Sequence, residues 1–205
     1  MADRSLYENA VDLEAHETQG HYDKWASSYD EDLDLNRYAL PTRCADAAER
    51  FVPDRSGPVL DLGCGTGLVG SALRCRGYTT IDGRDHSAAM LAEAEATGAY
   101  SRLCESDLNS HPLDIADCAY NLVTAVGAIG GGHVHAVVVD EVVRILKTGS
   151  FFVICLNEPW WLEGSLSAML SALEDTGVIS LEMTERGIHM PSHDVMGWVV
   201  VGRKL

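Results

Sequence analysis

The sequence predicts an α/β fold with seven strands in a mostly parallel sheet, an antiparallel C-terminal strand and helices on both faces. From residue 59 onward, short apolar runs alternate with amphipathic segments, which is typical of βαβ units. Glycines at Gly63–Gly67 follow the first of these runs directly. The segment Arg186–Asp194 between the last two predicted strands is too short for a parallel crossover, so these strands should pair antiparallel.

Local signals define each element in turn. Before the sheet, apolar residues recur at helical spacing, and Tyr22, Trp25 and Tyr29 should share one helical face. The predicted helices cover 5–17, 21–35, a segment from Pro41 that includes Phe51, Leu68–Arg76, Ala88–Ala96 behind a Ser87 cap, Val134–Lys147 and Gly164–Asp175. The predicted strands cover Val59–Leu62, Tyr78–Ile81 with an extension to Asp85, Ser101–Ser106, Tyr120–Gly127, Ser150–Asn157, Ile179–Glu185 and Val195–Arg203.

Composition excludes several classes of partner. The 205 residues are 46% hydrophobic and 22% charged, as in an ordinary globular protein, with a formal net charge of −16. Such a chain should repel nucleic-acid phosphates and anionic membranes. No apolar run reaches the ~18 residues that span a bilayer, and the first residues lack the apolar core of a signal peptide. We therefore expect no nucleic-acid or membrane partner.

Cysteine usage predicts the compartment. The six cysteines form no C-x-x-C pair, and most of them lie in apolar stretches. This pattern favours buried thiols in a reducing cytosol, hence a cytoplasmic protein. No Cys/His spacing matches a zinc site, so we predict no bound metal.

The most informative segment is Val59-Leu60-Asp61-Leu62-Gly63-Cys64-Gly65-Thr66-Gly67. Glycines after a strand permit a tight turn with positive φ, and they let a ligand approach the backbone at the next helix N-terminus. Gly65–Gly70 also matches the G-x-G-x-x-G dinucleotide pattern, which leaves a nicotinamide oxidoreductase as one alternative. Asp61 weighs against it, because a pyrophosphate in this turn would face a carboxylate.

This segment resembles the first motif of the class I S-adenosylmethionine-dependent methyltransferases, whose fold is Rossmann-like. The resemblance covers roughly residues 20–205. It includes Ile81–Leu91, Ser106–Leu108, Asn121–Val123, Arg144–Gly149 and a cover helix at His21–Asp30. Within the class, the cover helix and Val126–Ile129 are most similar to the methyltransferase-like proteins of the Williams-Beuren syndrome region. Arg84, Asn121 and Thr148 depart from the residues usual at their positions.

The resemblance implies one methyltransferase domain over residues 1–205, with a helical cover at 1–52 and a cofactor-binding core at 57–205. Its cofactor would be S-adenosylmethionine, and the residues implied to bind it fall into six groups. For the methionine and ribose, Asp61 would hold the amino end, Gly63, Cys64 and Gly65 would underlie both moieties, and Asp85 would accept hydrogen bonds from the ribose hydroxyls. For the adenine, His86 and Met90 would flank the ring, Asp107 would accept from its amino group, and Ser106 and Leu108 would shape the pocket. Val126 and Gly127 would pass beneath the sulfonium, and Tyr22, Trp25 and Tyr29 would close over the ligand.

Methyl transfer is an in-line displacement at a carbon already activated by positive sulfur, so no particular catalytic side chain is required. His133, just beyond Gly130–Gly132, is the candidate general base. Residues that could line an acceptor pocket are Asn157, Glu158, Trp160 and Trp161, and less favourably His189 and His193. The short loops favour a small-molecule acceptor, and we expect the protein to be a monomer. Two alternatives stay open: a non-catalytic cofactor-binding sensor or scaffold, and a methyltransferase acting on protein side chains.

Overall fold

A computed structural model of the chain describes residues 18–131 and 133–205. The predicted helix over 5–17 and Gly132 lie outside these ranges. The helices are α1 (Thr18–Leu35), α2 (Leu40–Phe51), α3 (Leu68–Cys75), α4 (Ala88–Ala96), α5 (Val138–Ile145), α6 (Glu158–Glu163) and α7 (Ser165–Asp175). The strands are β1 (Val59–Leu62), β2 (Ile81–Asp85), β3 (Arg102–Glu105), β4 (Tyr120–Val126), β5 (Leu146–Asn157), β6 (Ile179–Met190) and β7 (Val195–Lys204).

The seven strands form one sheet in the order β3-β2-β1-β4-β5-β7-β6. Neighbours from β3 through β5 pair in parallel, whereas β7 is antiparallel to both β5 and β6. The predicted fold class, including the antiparallel C-terminal strand, is confirmed. The strand order reverses between β1 and β4, which is where open α/β sheets bind their ligands, at the carboxyl ends of the strands.

Alternation along the strands divides the core into two apolar layers. Leu60 on β1 and Val123 on β4 face the layer that contains α5 and α7. Val59 and Leu122 face the opposite layer, which contains α2 and α3. Both strands at the switch point are therefore buried on both faces, and this holds their carboxyl ends firmly in place.

Several element boundaries differ from the sequence prediction. β2 begins at Ile81 and not at Tyr78, because the Tyr78 N–H donates to the Leu73 carbonyl at 3.2 Å and so still belongs to the end of α3. The helix predicted from Val134 begins at Val138.

The two C-terminal antiparallel strands and β5 are longer than predicted. β5 begins at Leu146, four residues early, where Leu146 pairs with Tyr120. β6 continues to Met190, because it keeps pairing with β7 up to Met190 opposite Val195. A glycine and charged residues obscured both extensions in the sequence.

The segment Glu158–Glu163, which lies outside the predicted strands and helices, is helix α6. Asn157 caps it, since its side-chain oxygen accepts from the Trp160 N–H at 2.9 Å. Pro159 occupies its first turn, where a missing N–H costs nothing.

The prediction of buried thiols is correct for only part of the set. Cys44, Cys64 and Cys155 are buried, but Cys75 and Cys118 are exposed because they lie at a helix end and in a turn. Across the described residues, no helix combines the length and apolar composition that a membrane span requires.

Asp61 lies inside the α2–α3 side of the sheet. It is fully buried, with one carboxylate oxygen accepting from the Thr124 hydroxyl at 2.7 Å and the other from the Tyr100 hydroxyl at 2.8 Å. The Tyr100 oxygen in turn accepts from the Gly70 N–H at 3.1 Å. Burial raises the pKa of Asp61 to about 7, although both hydroxyl hydrogen bonds act to lower it.

We predict that Asp61→Asn flattens the pH dependence of stability. Because the pKa of Asp61 is higher in the folded state than in the unfolded chain, the folded state binds more protons between about pH 4 and 7. The unfolding free energy of the wild type therefore falls as pH rises through this window, by roughly 1–3 kcal/mol from this group. Urea denaturation of both proteins at pH 5 and 7.5 measures the difference. Parallel pH profiles would contradict the assignment.

Candidate functional site

A cavity of about 450 Å³ lies at the carboxyl ends of β1, β2 and β4, beside α1. Of the residues predicted to bind the cofactor or act on the acceptor, most line it. These are Tyr22, Tyr29, Gly63, Gly65, Asp85, His86, Met90, Asp107, Leu108, Val126, Gly127 and His133. The structure thus brings residues from five separate parts of the chain to one place.

Four predicted residues do not line this cavity. Asp61 is held below the turn by Tyr100 and Thr124, and Cys64 is buried with its sulfur toward Gly83. Ser106 does not line the cavity, whereas the next residue, Asp107, does. Trp25 is buried beside the cavity, and its indole N–H donates to Asp32 at 2.7 Å.

The glycine turn forms the floor of the cavity. Gly63 and Gly65 have φ of +69° and +52°, a region that favours glycine. A Cβ on Gly63 would lie 2.5 Å from the Ala128 Cβ, so this glycine is also required by packing. A Cβ on Gly65 would meet nothing within 4 Å, which leaves the backbone there accessible to a ligand.

Asp85 joins the turns that follow β1 and β2. One carboxylate oxygen accepts from the Gly65 N–H at 2.8 Å, and the other accepts from the Ser87 N–H at 2.9 Å. Burial raises the pKa of Asp85, and the backbone hydrogen bonds oppose that rise. Because a carboxylate has about four acceptor positions, Asp85 can still accept hydrogen bonds from a ligand.

The turn after β3 also lines the cavity, and it includes Asn109, a residue that was missed in the sequence. Asp107 accepts from the Asn109 N–H at 2.9 Å, so the carboxylate orders its own turn. Asn109 donates to the His133 carbonyl at 3.0 Å and accepts from the His135 N–H at 2.9 Å. Asn109 therefore fixes the loop after β4 against the loop after β3. Its position two residues after Asp107 was the only available signal.

Helix α1 is tied to the site by polar side chains whose contacts were not apparent from the sequence. Asp30 accepts from the Thr66 hydroxyl at 2.5 Å, and Asp23 accepts from the Ser87 hydroxyl. Gln19 donates to the His86 carbonyl at 3.2 Å. These contacts place Tyr22 and Tyr29 over the cavity.

His133 is nine-tenths buried, and its Nε2 lies 3.0 Å from the Tyr22 hydroxyl. Burial lowers the pKa of His133 to about 4, so its imidazole is neutral at pH 7. A neutral imidazole can accept a proton, but a base with so low a pKa drives proton transfer weakly. Its general-base role stays a prediction.

A smaller cavity of about 50 Å³ adjoins the large one and shares Tyr22, Tyr29 and Gly127 with it. Of the residues predicted around an acceptor, Asn157, Trp160 and His189 line this cavity, whereas Glu158, Trp161 and His193 do not. Glu158 pairs with Arg186 at 2.5 Å, and Trp161 stacks on Trp198. The glycines before His133 make room for Trp160, because a Cβ on Gly130 would lie 2.9 Å from it.

The charge of the large cavity is negative. Asp85 and Asp107 line it, and no lysine or arginine of the described chain does. A pyrophosphate would meet two carboxylates and no cation, which disfavours a dinucleotide. The sequence placed this electrostatic constraint on Asp61, but it belongs to Asp85 and Asp107.

Comparisons with known proteins agree with this geometry. Residues 59–149 match the family model described as a methyltransferase domain. The human methyltransferase-like protein 27 is 33% identical over 164 residues, which cover 77% of this chain and 66% of that protein. The chain thus spans slightly less than two thirds of the length of this relative.

Two solved structures share the fold at low sequence identity. An S-adenosylmethionine-dependent methyltransferase from Mesorhizobium loti is 20% identical, with a TM-score of 0.61 and coverage of 78% of this chain and 96% of that one. The [4+2]-cyclase SpnF is 19% identical, with a TM-score of 0.66 and coverage of 94% and 97%. From its motifs, its sheet and its similarity to the human relative, this chain contains a methyltransferase domain at residues 59–149 and is similar to the class I S-adenosylmethionine-dependent methyltransferases.

Proposed function

We propose that this protein transfers the methyl group of S-adenosylmethionine to a small-molecule acceptor by in-line displacement. The observation that carries the proposal is the cavity at the strand switch point, where Asp85 bridges the glycine turn and the turn after β2. This cavity combines accessible backbone, hydrogen-bond acceptors and negative charge, and this combination suits a cationic nucleoside without phosphate groups.

The residues present fit that cofactor. Gly65 leaves open space above the backbone, Asp85 offers free acceptor positions to ribose hydroxyls, and Met90 is an apolar wall for a base. Asp107 lies on the same wall as Leu108, where it can accept from an amino group. When bound, the cofactor supplies a methyl group on a positively charged sulfur.

The chain's own contribution is positioning and exclusion of water. Tyr22 and Tyr29 cover the cavity from α1, and Val126 and Gly127 form its wall at the end of β4. Asp61 does not line the cavity, so we assign it a positioning role: through Thr124 and Tyr100 it holds the turn in shape. Rigid alignment of the reacting atoms is the main source of rate in such a displacement.

The site's dimensions favour a small acceptor over a protein side chain. Of the described helices before β1, only α1 lines these two cavities, and the cavity beside the shared residues measures only about 50 Å³. We further propose that the protein is a monomer and is cytoplasmic. Light scattering of the purified chain measures its oligomeric state, and fractionation of cells tests its location.

We predict that Asp85→Ala weakens binding of S-adenosylhomocysteine by about 1–3 kcal/mol, because a charge-assisted acceptor is lost. Calorimetry measures the affinity. Asp82→Asn is the matched control, since Asp82 lies on the same strand but accepts from Tyr120 at 2.8 Å, away from the cavity. Equal losses in both variants, or none in Asp85→Ala, would remove Asp85 from the site.

We predict that S-adenosylhomocysteine slows hydrogen exchange in α1, because Tyr22 and Tyr29 would contact the ligand. Local opening of the helix should become about tenfold rarer, which corresponds to about 1.4 kcal/mol of added protection. Helix α7, which lines neither cavity, serves as the internal reference. Unchanged exchange in α1 would mean that the helix only packs on the core.

Catalysis itself is tested with methyl-labelled cofactor and a cell metabolite extract. We expect label to appear in a small-molecule product that gains one methylene in mass, and Asp85→Ala to lower the rate at limiting cofactor. Tight cofactor binding with no transfer to any pool would favour the sensor, and transfer only to protein would favour the side-chain alternative.

A further inference from the structure

The cavity of about 50 Å³ next to the proposed cofactor site is enclosed mainly by aromatic rings. Tyr22, Trp25, Tyr29, Tyr38 and Trp160 all line it, and we call this set the aromatic cage. Trp25 and Tyr29 meet edge to face with ring centroids 4.6 Å apart, and Tyr22 stacks near Trp25 at 5.9 Å. These distances are those of packed aromatic pairs, so the rings hold one another in position.

Charged side chains are absent from the described lining of this cavity. The remaining lining residues are Leu33, Gly127, Asn157, His189 and Met190. Arg43, the nearby cation, donates to the carbonyls of Ile188 and Gly197 and pairs with Glu185, so its charge is engaged elsewhere. A cation in the cavity would therefore face ring surfaces without a competing fixed positive charge.

Aromatic faces attract a desolvated ammonium group through their quadrupoles. Asn157 is uncharged: its amide N–H₂ can donate, and its oxygen, which accepts from the Trp160 N–H, caps α6. His189 is buried, and burial lowers its pKa to about 4, as it does for His133. Neither a carboxylate nor a basic imidazole is therefore present to deprotonate an alcohol acceptor in this cavity.

From the aromatic cage and its junction with the cofactor site, we propose that the methyl acceptor is an amine whose nitrogen enters the cage as the free base. The inference rests on the proposed methyl transfer. The nitrogen lone pair forms the new N–C bond while the C–S bond breaks and its electron pair returns to sulfur. Positive charge passes from sulfur to nitrogen, and the rings stabilise the ammonium that develops. No proton has to leave during the transfer.

The size of the cavity limits what the cage can hold. A water needs about 10–15 Å³ measured in the same way, so 50 Å³ accepts a few non-hydrogen atoms. The cage thus fits a small alkylamine head group and excludes a whole aromatic ring. The rest of the acceptor must lie outside it.

The test uses the protein saturated with S-adenosylhomocysteine, titrated with trimethylammonium chloride and, separately, with tert-butanol, which has a similar shape without the charge. We expect trimethylammonium to bind at least tenfold more tightly than tert-butanol, as detected by NMR. Trp160→Leu should weaken trimethylammonium binding about tenfold, and Trp160→Phe, which keeps a ring face, should weaken it less. Tyr38→Leu provides a second variant should Trp160→Leu fail to fold.

Trp160 and Tyr38 line the small cavity and not the large one, so these variants should bind S-adenosylhomocysteine with unchanged affinity. That control separates the two proposals, because failure of the wild type to bind S-adenosylhomocysteine overturns the cofactor site. Equal affinity for the two probes, no binding of either, or no effect of Trp160→Leu and Tyr38→Leu overturns the amine acceptor while leaving the cofactor site intact.

Discussion

The site depends on the two backbone hydrogen bonds that Asp85 accepts. Its carboxylate connects the N–H of Gly65, after β1, to the N–H of Ser87, after β2. Hydrogen bonds to a charged acceptor are worth about 1.5–3 kcal/mol each, enough to hold two loops in one arrangement. A ligand that also binds Asp85 therefore meets a carboxylate already oriented, and it loses little entropy in ordering the protein.

Asp61 and Asp85 show how one residue type takes two roles in adjacent strands. Asp61 is buried under the glycine turn, and this burial raises its pKa to about 7. Each of its carboxylate oxygens accepts a hydrogen bond from a hydroxyl. Asp85 is at the cavity surface and keeps acceptor positions free. The pKa of Asp61 is raised further by the charge of Asp85, so a partly protonated Asp61 also reduces repulsion between the two carboxylates.

The fold class and the glycine turn were predictable because their causes are local. Glycines after a strand, a serine that caps α4 and alternating strands and helices are all visible within short windows. The failures have a different origin. Whether Asp61 faces solvent or the core depends on Tyr100, 39 residues away, and the length of β6 depends on pairing with β7. Asn109 and the acidic residues of α1 acquire their roles only through tertiary contacts.

The acidic cover helix has a consequence for the charge balance of the site. Asp23 and Asp30 accept from Ser87 and Thr66, so part of the charge of α1 is used to fasten the helix over the cavity. The same carboxylates add to the negative potential set by Asp85 and Asp107. Such a potential favours a sulfonium over its neutral thioether product, because only the former carries positive charge.

Transfer to a nitrogen in the aromatic cage keeps that positive charge inside the site, so the field that binds the cofactor also stabilises the reaction's charged product. An alcohol acceptor would require the charge to leave as a proton, and burial lowers the pKa of His189, the imidazole that lines the aromatic cage, to about 4.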